Sequence, residues 1–298
     1  NWIIYKMAQK KVLILFGPTS CGKSGTAIKI ANNIQSNIIN ADSIQLYKDL
    51  RILTSRPSEI DEKKVAHKLY GIIDGKNNCS VATWLDLVTK EIKTCWSQDK
   101  LPILVGGTGM YLKSLMEGIS DIPEVPASIK LGTEEELEKY GVEYLYNQLI
   151  ELNQETKVTK QDTQRVMRAL NVIKSTGKSI EEWQTENKKV LKEVNFEVFI
   201  PQFNRNELYK RSEHRFDAML ANGAVQEVRN LLDQNLDSKQ SIMKAIGVRE
   251  IKRYLDNEIS KQDCINLSKK NTRNYIKRQI TWIRGNNISS NIDIKKYI

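Results

Sequence analysis

A run of aliphatic residues, Val12-Leu13-Ile14-Leu15-Phe16, leads directly into Gly17-Pro18-Thr19-Ser20-Cys21-Gly22-Lys23-Ser24, and no other feature of the sequence limits the fold as much. The loop matches G-x-x-x-x-G-K-[ST] in the setting that gives the motif meaning, a short strand before it and a helix after it. Its glycines let backbone N–H groups turn inward around phosphate oxygens, and the following helix adds the positive end of its dipole. In such a cradle Lys23 would reach the outer phosphates and the Ser24 hydroxyl would ligate Mg2+. Cys21 reads as a small residue suited to a tight turn. Taken alone, the loop leaves open whether the phosphate belongs to a nucleotide or to some other diphosphate.

Residues 25–33 carry Ala27, Ile28 and Ala31 on one helical face, and a second apolar run, Ile38-Ile39-Asn40-Ala41, ends in Asp42-Ser43. Strand, loop, helix and strand at this spacing make a βαβ unit, so a parallel sheet flanked by helices is expected. Ligands of such sheets bind beyond the carboxyl ends of the strands, which places Asp42 beside the phosphate loop. Residues 81–96 are amphipathic with helical period. A third strand, Leu101-Pro102-Ile103-Leu104-Val105, then runs into Gly106-Gly107-Thr108-Gly109-Met110-Tyr111. No Asp ends that strand, so the metal-water acid of hydrolytic phosphate-loop enzymes is missing. Three glycines around Thr108 suggest instead a turn where backbone and hydroxyl approach a ligand closely.

Ile122-Pro123-Glu124-Val125-Pro126 punctuates the chain, as paired prolines do. Residues 127–193 read as wholly helical, after which Phe196-Glu197-Val198-Phe199-Ile200 returns as a strand. Helices enclosed between strands of one sheet predict an insertion. The expected fold class is therefore α/β, a P-loop NTPase-like parallel sheet flanked by helices. Residues 1–121 and 194–298 form its core, and residues 122–193 form an inserted all-helical subdomain.

The formal net charge of +10 is unevenly spread, with eight lysines and arginines against one acid, Asp293, in residues 264–298. A basic block of this kind is the footprint of a polyanion, nucleic acid foremost, or else a solvated face. Lys269, Arg273 and Lys277 fall on one helical face as a cationic ridge, Ile276, Ile280 and Ile283 make an apolar seam, and Tyr275 and Trp282 interleave as stacking or core aromatics. Arg211 and Arg215 lie at i and i+4 and project from one side of a helix over residues 207–220. Arginine forks suit phosphate oxygens, although such pairs also occur on solvated faces. No stretch approaches the ~18 apolar residues of a membrane span. Cys21, Cys79, Cys95 and Cys264 form no C-x-x-C pair, as in a reducing cytoplasm. Residues 1–6 are too short for a signal peptide, and Met7 is a candidate start. Three readings follow: a small-molecule phosphate-loop kinase, a transferase with a diphosphate leaving group and an RNA acceptor, and a non-enzymatic RNA-binding module. The basic, aromatic-bearing tail favours the second, and Asp42 argues against the third.

These motifs together resemble the tRNA dimethylallyltransferase family over nearly the whole chain. The resemblance rests on Gly17-Pro18-Thr19 through Lys23-Ser24, Ala41-Asp42-Ser43-Ile44-Gln45-Leu46-Tyr47, Thr54 with Pro57, and Ser80-Val81-Ala82. It continues through Leu104 to Tyr111, Asp162 with Arg165, Arg211 to Phe216, Ala245-Ile246-Gly247 with Arg249-Glu250, and Lys277-Arg278-Gln279-Ile280-Thr281-Trp282. Departures are Leu53 for Gly, Ser55-Arg56 for Ala-Lys, Gln161 for Asn and Val248 for an aromatic. No zinc finger of the eukaryotic type is recognisable, so a bacterial or organellar form is expected.

The resemblance implies transfer of a dimethylallyl group from dimethylallyl diphosphate to N6 of the adenine 3′ to the anticodon, in tRNAs reading codons that begin with U. It implies a donor diphosphate held by the phosphate loop, by Mg2+ on Ser24 and by Arg211 or Arg215. Asp42 would act as base toward the amine, with Thr108 nearby. The tRNA anticodon stem-loop would be contacted by Asp42, Ser43, Ile44, Gln45 and Thr108, and by Lys130 and Gln161-Asp162-Thr163-Gln164-Arg165. Lys244-Ala245-Ile246-Gly247-Val248-Arg249 would complete the set. A cytoplasmic monomer is expected. An adenylate acceptor, or less favourably a kinase reaction, is the alternative.

Overall fold

The computed structural model describes residues 10–298, so residues 1–6 and the candidate start Met7 lie outside the described residues. Two compact units are present, one built from residues up to Met116 and from Leu191–Ile298, the other from Glu117–Val190.

In the first unit β1 (Lys10–Phe16) passes through the phosphate loop into α1 (Lys23–Asn33), which returns to β2 (Ser36–Asn40). Then come α2 (Glu59–Lys64), the short β3 (His67–Lys68), α3 (Val81–Ser97), β4 (Leu101–Gly106) and α4 (Gly109–Glu117). The second unit contributes α5 (Ala127–Leu152), α6 (Thr163–Thr176) and α7 (Ile180–Gln184). The chain re-enters the first unit through β5 (Val194–Phe199), followed by α8 (Arg205–Ala221), α9 (Ala224–Leu232), α10 (Val248–Leu255) and α11 (Lys261–Gly285).

The five strands form one sheet in the order β3-β2-β4-β1-β5. Every pairing is parallel, with Leu13 opposite Ile103 and Glu197, and Ile38 opposite Ile103. Val12, Leu13 and Leu15 are fully buried, as expected for a central strand covered on both faces and therefore apolar at successive positions. The sheet and α1 share one apolar cluster, including Leu13, Leu15, Ala27, Ile30, Ile38 and Ile103. A second cluster joins α8, α9 and α10 to the segment after β2 through Leu50, Leu53, Phe216, Val228, Val248 and Ile251.

The second unit is built of helices within residues 127–184, and one of them is sharply bent. Gly141 sits at φ 80° and ψ 173° inside α5, a left-handed conformation that glycine adopts without a Cβ penalty. Gln148 Nε2 reaches Glu136 Oε2 at 3.3 Å, whereas a continuous helix would separate these residues by about 18 Å at 1.5 Å per residue. The two halves of α5 therefore fold back on each other, and Leu145 and Leu149 pack with Val166, Ala169 and Leu170 of α6. After α7 the chain is extended, and Lys188 makes an antiparallel bridge to Ile119. Gly118 touches this bridge so closely that a Cβ there would lie 2.4 Å from the Lys188 carbonyl oxygen.

Candidate active site

The phosphate loop folds tightly at the head of α1. Gly22, the N-cap of α1, has φ 94°, and Ser20 is also left-handed at φ 66°. Successive N–H groups in such turns form anion-binding concavities. Lys23 Nζ donates to the carbonyl oxygens of Gly17 and Pro18, both at 2.8 Å, and lies 3.7 Å from Cys21 Sγ. Burial lowers the pKa of this ammonium, Cys21 and Asp42 work in the opposite direction, and Arg215 adds to the lowering. A half-buried cation facing neutral carbonyls gains from an anionic partner. Cys21 is buried against Leu208, Ile276 and Ile280, so packing selects the small residue here.

Asp42 follows the last residue of β2 but one, and Asn40 fixes it. Asn40 is fully buried. Its Oδ1 accepts from Asp42 N at 2.8 Å, and its Nδ2 donates to Asp42 O at 2.9 Å and Leu69 O at 3.1 Å. Asp42 Oδ1 accepts from Ile44 N at 3.0 Å and Gln45 N at 3.4 Å, an Asx-type turn that holds the carboxylate at the carboxyl end of the strand. Ser43 N donates to Thr108 Oγ1 at 3.0 Å. Thr108 therefore secures the loop that carries Asp42, and does not itself line the cavity described next. Asn40 escaped sequence reasoning, although a polar residue closing an otherwise apolar buried strand was a usable signal.

The glycines around Thr108 serve protein contacts, which corrects their reading as space for a ligand. A Cβ on Gly106 would lie 2.0 Å from Ala41 O, one on Gly107 2.4 Å from Gln279 Nε2, and one on Gly109 2.4 Å from the Trp282 ring. Gln279 ties this turn to the phosphate loop: Oε1 accepts from Thr19 N at 2.9 Å and Nε2 donates to Gly107 O at 3.1 Å. Trp282 is half-buried and meets Phe16 edge-on at 5.7 Å between ring centroids, so its ring serves packing.

A cavity of about 320 Å³ opens over this assembly. Thr19, Asp42, Ser43 and Ile44 line one side, with Leu53 and Thr54 beside them. Ser212, Arg215, Phe216 and Met219 come from α8, Lys244, Ala245 and Ile246 from the segment before α10, and Thr272, Tyr275 and Arg278 from α11. Burial lowers the Arg215 pKa while Asp42 raises it. Burial raises the Tyr275 pKa, and the nearby Asp42 adds to that shift while Arg278 opposes it. The Arg278 guanidinium lies over the Tyr275 ring at 5.6 Å. The expected arginine pair is thereby split. Arg215 faces the cavity, whereas Arg211 is exposed and bonded to Glu207 at 3.3 Å, beside a separate hollow that includes Asn204 and Leu208.

A second recess of about 240 Å³ lies on the other side of Thr54, lined by Ser24, Ser55, Arg56, Pro57, Ser58, Asp61, His67 and Tyr70 among others. Among the described residues no group of three His, Cys, Asp or Glu could hold a metal ion. A single exposed Ser24 hydroxyl suits Mg2+, which takes few protein ligands and completes its octahedron with water and phosphate oxygens.

The remaining expected contacts divide between the units. Ser43, Ile44, Lys244, Ala245 and Ile246 line the cavity. Gln45 turns away to donate to Thr54 O at 2.8 Å. Gly247, at φ 100°, leaves no room for a Cβ beside Leu53, Val248 is buried and Arg249 is exposed. In the second unit Asp162 caps α6 by accepting from Arg165 N at 3.1 Å and pairs with Arg165 Nε at 3.2 Å. Gln161 and Gln164 are exposed there, Thr163 is half-buried, and Lys130 pairs loosely with Glu124 at 3.8 Å. The cationic ridge of α11 needs correction: Lys269 is bound to Asp217 at 2.7 Å and Arg273 to Glu213. Those two charges hold α8 to α11.

Comparison with known proteins agrees with this geometry. Residues 45–286 match the family model described as IPP transferase. A tRNA dimethylallyltransferase of Zymomonas mobilis is 42% identical over 276 residues, 92% of this chain and 87% of that protein. One of Pelagibacter ubique is 38% identical, covering 93% of this chain and 89% of that protein. Among solved structures, a eukaryotic dimethylallyltransferase acting on tRNA superposes with a TM-score of 0.78 at 29% identity, over 92% of this chain and 70% of that one. The tRNA isopentenylpyrophosphate transferase of Bacillus halodurans gives 0.65 at 29% identity, over 93% and 87%.

Proposed function

The chain belongs to the IPP transferase family, and from that premise we propose that it transfers a dimethylallyl group from dimethylallyl diphosphate to an adenine of tRNA, releasing diphosphate. The observation that carries this reading is the meeting of Asp42, Lys23 and Arg215. Asp42 and Arg215 line one cavity together with Thr19 of the phosphate loop, and the half-buried Lys23 of that loop feels both charges.

The phosphate loop and Lys23 hold the diphosphate, and Arg215 faces it from α8. Mg2+ on Ser24, when bound, supplies further neutralisation of the leaving group. As the allylic C–O bond breaks, its electron pair stays on the departing diphosphate, and preorganised cations are placed where that charge grows. The N6–C bond forms from the exocyclic amine, whose lone pair is delocalised into the ring. Asp42 orients that amine and takes its proton. Asn40, Ile44 N and Gln45 N keep the carboxylate in place. Tyr275 and Arg278 offer an aromatic and a cationic face within the same cavity, suited to a base drawn out of its stack at a cost of a few kcal/mol.

The adenine 3′ to the anticodon is the proposed acceptor. Lys130 and Gln161 to Arg165 of the helical unit would contact the anticodon stem-loop. Among the described residues no helix is long and apolar enough to cross a membrane.

Incubation with labelled dimethylallyl diphosphate and either tRNA or AMP tests the reading. Label in the tRNA is the expected result. Label in AMP alone would make the chain an adenylate prenyltransferase, and phosphate transfer from ATP to a small hydroxyl compound would make it a kinase.

A further inference from the structure

Residues 51–57 form the wall between the Asp42 cavity and the Ser24 recess. Leu53 and Thr54 line the first, and Ser55, Arg56 and Pro57 line the second. The first three N–H groups of the loop are held by one side chain. Glu227, in the first turn of α9, accepts from Arg51 N at 2.6 Å and Ile52 N at 2.8 Å through Oε1, and from Leu53 N at 2.8 Å through Oε2. Three consecutive N–H groups thus point at one carboxylate, which acts as a cap donated from a distant helix.

Glutamate in a first helical turn is commonly explained by the helix dipole. Here both oxygens are committed to the loop instead, through charge-assisted bonds stronger than neutral ones. The rest of the loop is braced from the Asp42 side, since Gln45 Nε2 donates to Thr54 O at 2.8 Å and Ser55 O at 3.3 Å. Leu53 in turn packs on Gly247, where a Cβ would come within 2.8 Å of its Cδ1. That contact links the clamp to the neighbouring Lys244, Ala245 and Ile246 of the cavity.

We propose that Glu227 is a positioning residue that fixes the 51–57 loop and thereby the walls this loop gives to both hollows where the substrates bind. The assignment rests on the function proposed above, with Asp42 facing the acceptor and the donor diphosphate held between Ser24 and Arg215. A loop released at residues 51–53 shifts both walls together, so donor and acceptor binding change in concert.

The test is Glu227→Gln, which keeps the shape but turns one acceptor into an NH2 donor facing a backbone N–H. Glu227→Asp serves as the milder variant, retaining charge and both acceptors on a shorter stem. Hydrogen exchange on the peptide spanning residues 48–57 reads the clamp directly, without reference to catalysis. Exchange at residues 51–53 should be about tenfold faster in Glu227→Gln, the consequence of losing a well-made charge-assisted bond. At a temperature where the variant remains folded, KM for tRNA and for dimethylallyl diphosphate should both rise about fivefold or more, with Glu227→Asp between the variant and the parent. Unchanged exchange at these amides overturns the clamp. Faster exchange with both KM values and kcat within twofold of the parent overturns the positioning role. If the parent protein fails to prenylate tRNA, the proposed function falls, and the exchange result still decides the clamp.

Discussion

Asn40 grips Asp42 from both sides of its peptide unit, accepting from Asp42 N at 2.8 Å and donating to Asp42 O at 2.9 Å. The side chain is fully buried, so neither bond has water as a substitute. Asn40→Ala strands Asp42 N, Asp42 O and Leu69 O, each costing about 1–3 kcal/mol if left unpaired. Thermal unfolding should therefore shift down by several degrees, and turnover of the surviving folded protein should drop at least about tenfold as the carboxylate loses its fixed orientation. A variant with normal kcat and an unchanged melting point would show that this grip matters neither to the fold nor to the reaction.

Asp42→Asn separates the proton-accepting role from the structural one. An amide oxygen still accepts from Ile44 N and Gln45 N, so the turn is kept, while the base is removed. Turnover should fall by about 10²–10⁴, the usual range for a lost general base. Affinity for tRNA should remain close to that of the parent. Steady-state prenylation together with a filter-binding or mobility assay checks both halves, and near-normal turnover would remove Asp42 from the proposed role.

Arg215 and Arg211 should behave differently although they sit one helical turn apart. Arg215→Ala takes a half-buried guanidinium from the neighbourhood of Asp42 and Lys23, and donor use should weaken by about tenfold or more in kcat/KM. Arg211→Ala breaks an exposed pair with Glu207, a contact worth only about 0.3–0.5 kcal/mol, and should leave kcat/KM for the donor within about twofold. A larger loss from Arg211→Ala than from Arg215→Ala would reverse the assignment.

The elements around β1 were legible because their signals are local: an aliphatic strand, four fixed loop positions, and a carboxylate two residues past the second strand. What sequence reasoning missed depends on partners far away in the chain. Gly107 and Gly109 looked like ligand space because nothing nearby announced Gln279 or Trp282 against them. Glu227 carried no local signal, since its three partners lie at residues 51–53. Gly141 was hidden among strong helix formers, and the wholly helical pattern did not show that one glycine at positive φ bends α5. The basic tail was correctly seen as basic, yet charge counting did not show which cations already have acids opposite them.

That last point gives a test of which α11 cations meet nucleic acid. Lys269 and Arg273 are bound to Asp217 and Glu213 of α8, whereas Arg278 lines the cavity over Tyr275. A phosphate-contacting cation contributes roughly one unit to the slope of log affinity against log salt. Arg278→Ala should accordingly weaken tRNA binding and flatten that slope by about one. Lys269→Ala should leave the slope unchanged and act on stability instead, by about 1 kcal/mol for a half-buried pair at the solvent edge. Titration of each variant with tRNA across a range of salt concentrations distinguishes the two. Equal flattening by Lys269→Ala would mean that the ion pair to Asp217 opens when tRNA binds, and that the ridge along α11 acts as a continuous contact surface.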